Sequence, residues 1–546
     1  MLKAKKIIAL MLAVVLILGL AACGGSATSS SQSGQTAPAS TTASTSSSTA
    51  TPASTEPVVV NVAIHEEQVS LDNVTATKDV ALMIAQNVFE TLYCYDENFN
   101  LQHNLAESED ISADGLKATI NLRKGVKFHN GNEMTAKDVV ASMERFFEFG
   151  VKGKGMAPYI DSVEADGDYS VVVNFTKPYS VWQDMFAWYS GCWYVIPAEI
   201  AEAAGENALG WDQNIGTGPF KFDEYQEGRY IKLSKYDDYV SPEGTPSAAA
   251  GKREVFIDEL YFHLVEDSAT RLNGLMSGQY DYVCNMPTDY YETINSTNGI
   301  HTVANAAERC LILFFNTHSK QIKNPKMRQA LAMAMNCTDA MQAAYGNPEL
   351  WNTDTTSWYP EGSVYYYPND IAYYNKNNAE EAKKLAQEAG YKGEEIRLLF
   401  NSSYPTFVSA LTIISQNLKD AGFNVVEDTM DNTSLMSKRS DETQWEIFVT
   451  HHNFLTVPTT YNPLNAAYAG WWDTAERNEA VDAFIAATSE SARVKAWKDI
   501  VDLMNEQAPV IRLGGFVEIY AASDKLEGVG DQYWAYPTWW NVKKNQ

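Results

Sequence analysis

Buried-strand and amphipathic-helix patterns alternate along most of the chain from Val58 onward. Val58 to Ile64 is apolar at nearly every position, the mark of a strand buried on both faces. Thr135-Ala136-Lys137-Asp138 opens a helix, with Thr135 as N-cap and Asp138 three positions on to answer it. Asn324-Pro325 opens another, a capping Asn before a Pro at the first helical position, and Met327, Leu331 and Met335 follow along one face. The plainest unit is strand–helix–strand. Ile396 to Phe400 reads as strand, Pro405 to Ala421 as helix, Gly422 as its left-handed terminator and Phe423 to Val426 as the next strand. A unit of this length predicts a parallel pair with a right-handed crossover. Trp445 to Thr450 reads as a further strand. It delivers a loop, His451 to Pro458, to the sheet edge where such folds bind ligands. The fold class is therefore α/β, and no internal repeat interrupts it.

The first residues follow another rule. Lys3, Lys5 and Lys6 precede an apolar run from Ile7 to Leu20. That run is shorter than the ~20 residues a spanning helix needs and fits a signal peptide, residues 1–22. Leu20-Ala21-Ala22-Cys23-Gly24 resembles a bacterial lipobox, which implies cleavage before Cys23 and lipid on its sulfur and amine. Of the 34 residues from Gly24 to Pro57, 19 are Ser or Thr, so residues 23–57 are expected to be a lipidated Cys and a flexible tether.

Charge narrows the partners. The chain carries 41 Lys+Arg against 69 Asp+Glu, a net −28. Nucleic acid and anionic lipid headgroups both require a basic surface, and the balance argues against both. At roughly 100–200 residues per domain, 546 residues predict two to four lobes. Cys94, Cys192, Cys284, Cys310 and Cys337 are scattered without a CxxC pair, which argues against a zinc site or a dense disulfide framework. No GxSxG, HExxH or phosphate-cradling GxxxxGK[ST] occurs, and neither an enzyme activity nor a cofactor is expected.

Several blocks then resemble one family. Leu105-Ala106-Glu107-Ser108, Asp114-Gly115-Leu116 and the run Leu122 to Gly131 are followed by Thr135 to Val139, Gly216-Thr217-Gly218-Pro219-Phe220, Leu313 to Thr317, and Arg328 to Leu331. Taken together, in this order, they resemble the family 5 solute-binding proteins of ABC importers. The resemblance implies a two-lobed clamshell. Lobe I would comprise 58–312 and 510–546, with a subdomain inserted at about 99–204, and lobe II would be 313–509. The crossings are expected near Cys310–Asn316 and Pro509–Gly515. The implied role is a monomeric lipoprotein on the outer face of the cell membrane. It would capture a peptide-like solute and deliver it to an ABC permease with its ATPase subunits.

For the ligand the residues leave alternatives. Peptide-binding members carry a Gly-Trp-x-x-Asp-x-x-Asp/Glu-Pro loop whose carboxylate meets the peptide ammonium. Here Thr450, His451 and Phe454 occupy the first positions, and Val457 replaces the acidic residue before Pro458. Glu66 or Glu67, after the first strand, is the substitute carboxylate. His451, His452 and Asn453 are the candidate hydrogen-bonding residues of the loop. Two adjacent His on a strand face opposite ways, so they would share a metal only if the backbone turned there. Trp358, Tyr404 and Trp471 are candidate aromatic walls. They keep an oligosaccharide, or a metal chelate at the two His, as the runner-up to a peptide.

Overall fold

The computed structural model describes residues 56–545, apart from 73, 76–77, 151, 189–191, 305–308, 355 and 531–535. The expected signal peptide, Cys23 and the tether up to residue 55 lie outside the described residues.

Two large sheets organise the body. The first has seven strands in the order Ile300–Ala304, Ile519–Ser523, Tyr282–Met286, Val59–Ile64, Glu259–Leu264, Tyr230–Lys235 and Phe220–Gln226. Val59–Ile64 is central and parallel to both neighbours, and Val60, Val62 and Ala63 are wholly buried, as its unbroken apolar run requires. The second sheet has six strands: Trp351–Asn352, Val510–Phe516, Arg309–Phe315, Ile447–His452, Glu395–Asn401 and Asn424–Met430. A separate four-stranded antiparallel sheet, Ala106–Ile111, Lys117–Leu122, Ser170–Phe175 and Ile160–Ala165, carries the helix Ala136–Phe149.

The local signals hold. Glu395–Asn401 and Asn424–Met430 pair in parallel around the helix Pro405–Asp420, and Gly422 ends it at φ +87°. The Asp138 carboxylate accepts from the Thr135 N–H at 2.8 Å, and the Asn324 side chain accepts from the Lys326 N–H at 3.1 Å.

Two boundaries differ from expectation. The chain leaves the first sheet after Ala304 and enters the second at Arg309; it returns between Phe516 and Ile519. The stretches Cys310–Phe315 and Val510–Phe516 lie within the second sheet instead of at the passages. Their apolar runs are core strands, and the chain crosses where those runs stop. The strands that flank the passages pair antiparallel on both sheets, Ala304 with Ile519 and Arg309 with Phe516. The expected 445–450 strand runs from Ile447 to His452. Leu311 pairs with His451 and Cys310 with His452, so both His belong to the ladder and the loop starts at Asn453.

The blocks that carry the family resemblance are structural joints. Gly216 donates its N–H to His129 Nδ1 at 3.2 Å, and His129 Nε2 lies 3.0 Å from the Gly218 carbonyl. A Cβ on Gly216 would sit 2.1 Å from the Val88 carbonyl oxygen, which excludes any other residue. Thr217 and Arg253 both hydrogen-bond the buried Glu90. Arg328 donates to the carbonyls of Ile322, Lys323, Gln507 and Ala508, capping the C-terminus of the helix Glu490–Gln507.

Candidate functional site

Two cavities flank the start of the Arg309 strand. The larger, about 380 Å³, is lined from Cys310 and the Val510 strand (Arg512), from the 352–361 segment, from Asn453, Phe454 and Tyr461, and from Phe99. Its walls are rigid. Trp358 meets Tyr461 edge-on at 5.2 Å, Phe99 packs on Phe454 at 4.2 Å, and Tyr359 donates its hydroxyl to the Leu455 carbonyl at 2.9 Å. Arg512 donates to the Ser357 carbonyl at 2.5 Å, with its guanidinium 5.0 Å over the Trp358 ring. Asp354 is held by Thr356, whose hydroxyl and N–H both donate to it. Those bonds lower its carboxyl below the usual range. Burial pushes the Tyr461 phenol up to about 12 and raises that of Tyr359 as well, so both are neutral. In this wall the buried Asn453 Oδ1 has no hydrogen-bond partner among the described residues. Buried acceptors are nearly always satisfied, so this one is open to a donor.

The smaller cavity, about 170 Å³, lies at the carboxyl ends of the parallel strands Val59–Ile64 and Tyr282–Met286. Its ions pair with one another, while His65 Nδ1 in the same wall is buried without a hydrogen-bond partner among the described residues. Arg309 pairs with Asp79 at 3.2 Å and Glu518 at 2.9 Å, and the Tyr536 hydroxyl donates to Asp79 at 2.7 Å. Burial raises the Glu518 carboxyl, with Arg309 opposing the shift, and burial lowers His65.

The eight candidate ligand residues do not converge. Trp358 and Asn453 line the large cavity. Glu66 lines the small one, 3.4 Å from Lys78. Glu67 lines neither: it accepts from the Tyr225 hydroxyl at 3.0 Å and the Gly228 N–H at 2.6 Å, bracing the turn between two first-sheet strands. Strand alternation separates the two His. His451 packs 5.7 Å from Phe407 on the Leu311 face, while His452 packs 5.9 Å from Phe314 on the other, with Asn462 3.4 Å from its Nε2. Burial lowers both, His452 to about 4. Neither is in a cavity wall, and one ion cannot bridge two opposite faces. Tyr404 is exposed and stacks on Phe407 at 4.8 Å. Trp471 sits at φ +47° between His318 and Trp445, away from both cavities. Arg512, Asp354 and Tyr461 were missed. Arg512 had a signal, a lone charge inside the apolar run Val510 to Leu513; the other two had none.

Two sheets joined by paired passages, with cavities beside them, define a solute-binding architecture. The model of the bacterial extracellular solute-binding proteins, family 5, matches residues 100–474. The chain is 25% identical over 489 residues to a probable peptide ABC transporter periplasmic-binding protein of Sinorhizobium fredii, covering 87% of this chain and 91% of that one. It is 25% identical over 562 residues to the oligopeptide-binding protein AppA of Bacillus subtilis, covering 96% of each. Among solved structures, HbpA2 from Haemophilus parasuis superposes with a TM-score of 0.76 at 20% identity, over 89% of this chain and all of that one, which shows the shared fold. The chain belongs to the family 5 extracellular solute-binding proteins. Members of this family are binding proteins for transport and not enzymes, and the fold is their two-lobed α/β architecture.

Proposed function

We propose that this protein captures a short peptide-like solute in the 380 Å³ cavity and hands it to an ABC permease driven by ATPase subunits. The observation that carries the reading is Asn453 Oδ1, a buried acceptor in the cavity wall with no protein partner. A peptide N–H is the donor that fits it. Trp358 and Phe454 offer faces for an apolar side chain, Arg512 a positive charge, and Asp354 and Glu361 negative charges at the same wall, a set matched to a zwitterion. The volume suits a solute of a few residues. The names of the relatives, peptide- and oligopeptide-binding, point the same way.

The lobes of this reading are the first sheet with the inserted subdomain and the second sheet with its helices, which the chain joins between the strands ending at Ala304 and beginning at Arg309, and again between Phe516 and Ile519. The chain works as a monomer, exported and tethered to the outer face of the membrane through lipid on Cys23. Native mass spectrometry of the body from Val58 tests the function. The expected result is a retained mass of two to a few amino acids, exchangeable with added dipeptides. A retained oligosaccharide, or a metal chelate lost on adding a chelator, would overturn the peptide reading.

A further inference from the structure

The inserted subdomain grips the second-lobe helices at a point far in sequence from both passages. Ser180 donates its N–H to the Ile485 carbonyl at 2.8 Å and its hydroxyl to the Phe484 carbonyl at 2.7 Å. These carbonyls belong to the last turn of the helix Ala475–Ile485, and that of Phe484 also accepts from the Ala487 N–H at 3.3 Å. From the next helix, Glu490–Gln507, Arg493 donates to the Ser180 carbonyl at 2.7 Å and stands 3.8 Å from Asp184. Asp184 also accepts from the Tyr95 hydroxyl at 2.8 Å. Its side chain is 7% exposed and that of Arg493 15%. Nearer the large cavity, Phe99 packs on Phe454, and Asn100 accepts from the Val364 N–H at 3.3 Å and donates to the Gly362 carbonyl at 3.4 Å.

We infer that this contact is the latch of the clamshell: Ser180 and Asp184 on the inserted subdomain clasp Arg493 and the Ala475–Ile485 helix end, and so hold Phe99 against the solute cavity. The inference rests on the two-lobed closure proposed above. The directional bonds at the contact are hydrogen bonds to carbonyls and one loose ion pair, all of which water can replace. They border the buried side chains of Val181 and Phe484 and the Tyr365 ring beneath Arg493. The Asp184–Arg493 distance is too long for a hydrogen bond, so the pair recovers only part of the cost of burying two charges. Arg493 acts as a positioning residue, since it lines neither cavity.

Native-state amide exchange on the solute-free wild type reads the latch directly. We expect amides at 179–184 and 484–493 to exchange faster than those of the Val59–Ile64 strand, by local opening. Arg493→Gln should speed exchange at the contact a further ~5- to 30-fold, leaving the first-sheet strands unchanged. Ser180→Ala, which deletes one hydroxyl and cannot unfold the body, should do the same to a smaller degree. Solution scattering should show a larger radius of gyration for Arg493→Gln, by about 1 Å. If the contact and the core strands exchange together in wild type and in Ser180→Ala, the contact is fixed packing and the inference falls. Solute captured without local opening would overturn the latch and leave the transport reading standing. Local opening in a protein that captures no solute would do the reverse.

Discussion

The two cavities at the start of the Arg309 strand differ in how their charges are held. Around the small one, Arg309, Asp79, Glu518 and Tyr536 bond one another, with His65 Nδ1 buried beside them and without a hydrogen-bond partner among the described residues. Around the large one, aromatic rings pack on each other, and Asn453 Oδ1 has no hydrogen-bond partner among the described residues. Charges that pair with one another hold two parts of a protein together, whereas an open acceptor beside aromatic faces suits a ligand. On the proposed reading the more charged cavity is the structural one.

The largest effect that would sharpen this contrast concerns the adjacent His451 and His452. Both are kept neutral by burial, and His452 falls from 6.5 to about 4. In the unfolded chain a His binds a proton below about 6.5. Between pH 6.5 and 4 the unfolded state thus holds more protons, and stability falls as pH falls through that window. His129, also lowered to about 4 by burial, adds to the loss. Urea unfolding at pH 7 and pH 4.5 should differ by roughly 2–3 kcal/mol for each of these two groups. His452→Gln should shrink the difference, and an unchanged pH slope would mean that His452 is not buried on the Phe314 face.

Next comes Trp358→Ala. It removes the ring against Tyr461 and the platform beneath Arg512. Affinity for the captured solute should drop by about 2 kcal/mol, near 30-fold by calorimetry. Asn453→Ala should cost about 1–2 kcal/mol of binding, since it removes one acceptor, while thermal stability stays within about 0.5 kcal/mol. Equal affinity in that variant would close the open valence on which the reading depends. Smallest in its effect on binding is Glu67→Gln. It weakens the brace to Tyr225 and Gly228, so unfolding should become easier by about 1 kcal/mol with affinity unchanged.

Much of the fold was legible because its signals are local. The Thr135–Asp138 pairing, Pro325 after Asn324, Gly422 and the apolar run at Val59 each act within one element. The change from one sheet to the other falls several residues away from the expected positions, because an apolar strand such as Leu311–Phe315 reads alike in either sheet and only its partners decide which one it joins. The site was harder still. Glu67 and Glu66 are neighbours in sequence, yet one braces a turn and the other lines a cavity. His451 and His452 were misread as loop because their ladder partners are over 130 residues away. Arg512, Asp354 and Asn453 meet only after the Val510 strand, the 352–361 segment and the 453–461 loop have packed.

The most direct test is a crystal structure of the body grown with the solute that native mass spectrometry identifies. The account predicts solute density in the large cavity, with a donor within hydrogen-bond reach of Asn453 Oδ1, an apolar group along Trp358, and the Arg309–Asp79–Glu518 network intact. Solute density beside Glu66 and Glu518, with the large cavity empty and Asn453 Oδ1 still without a partner, would contradict it.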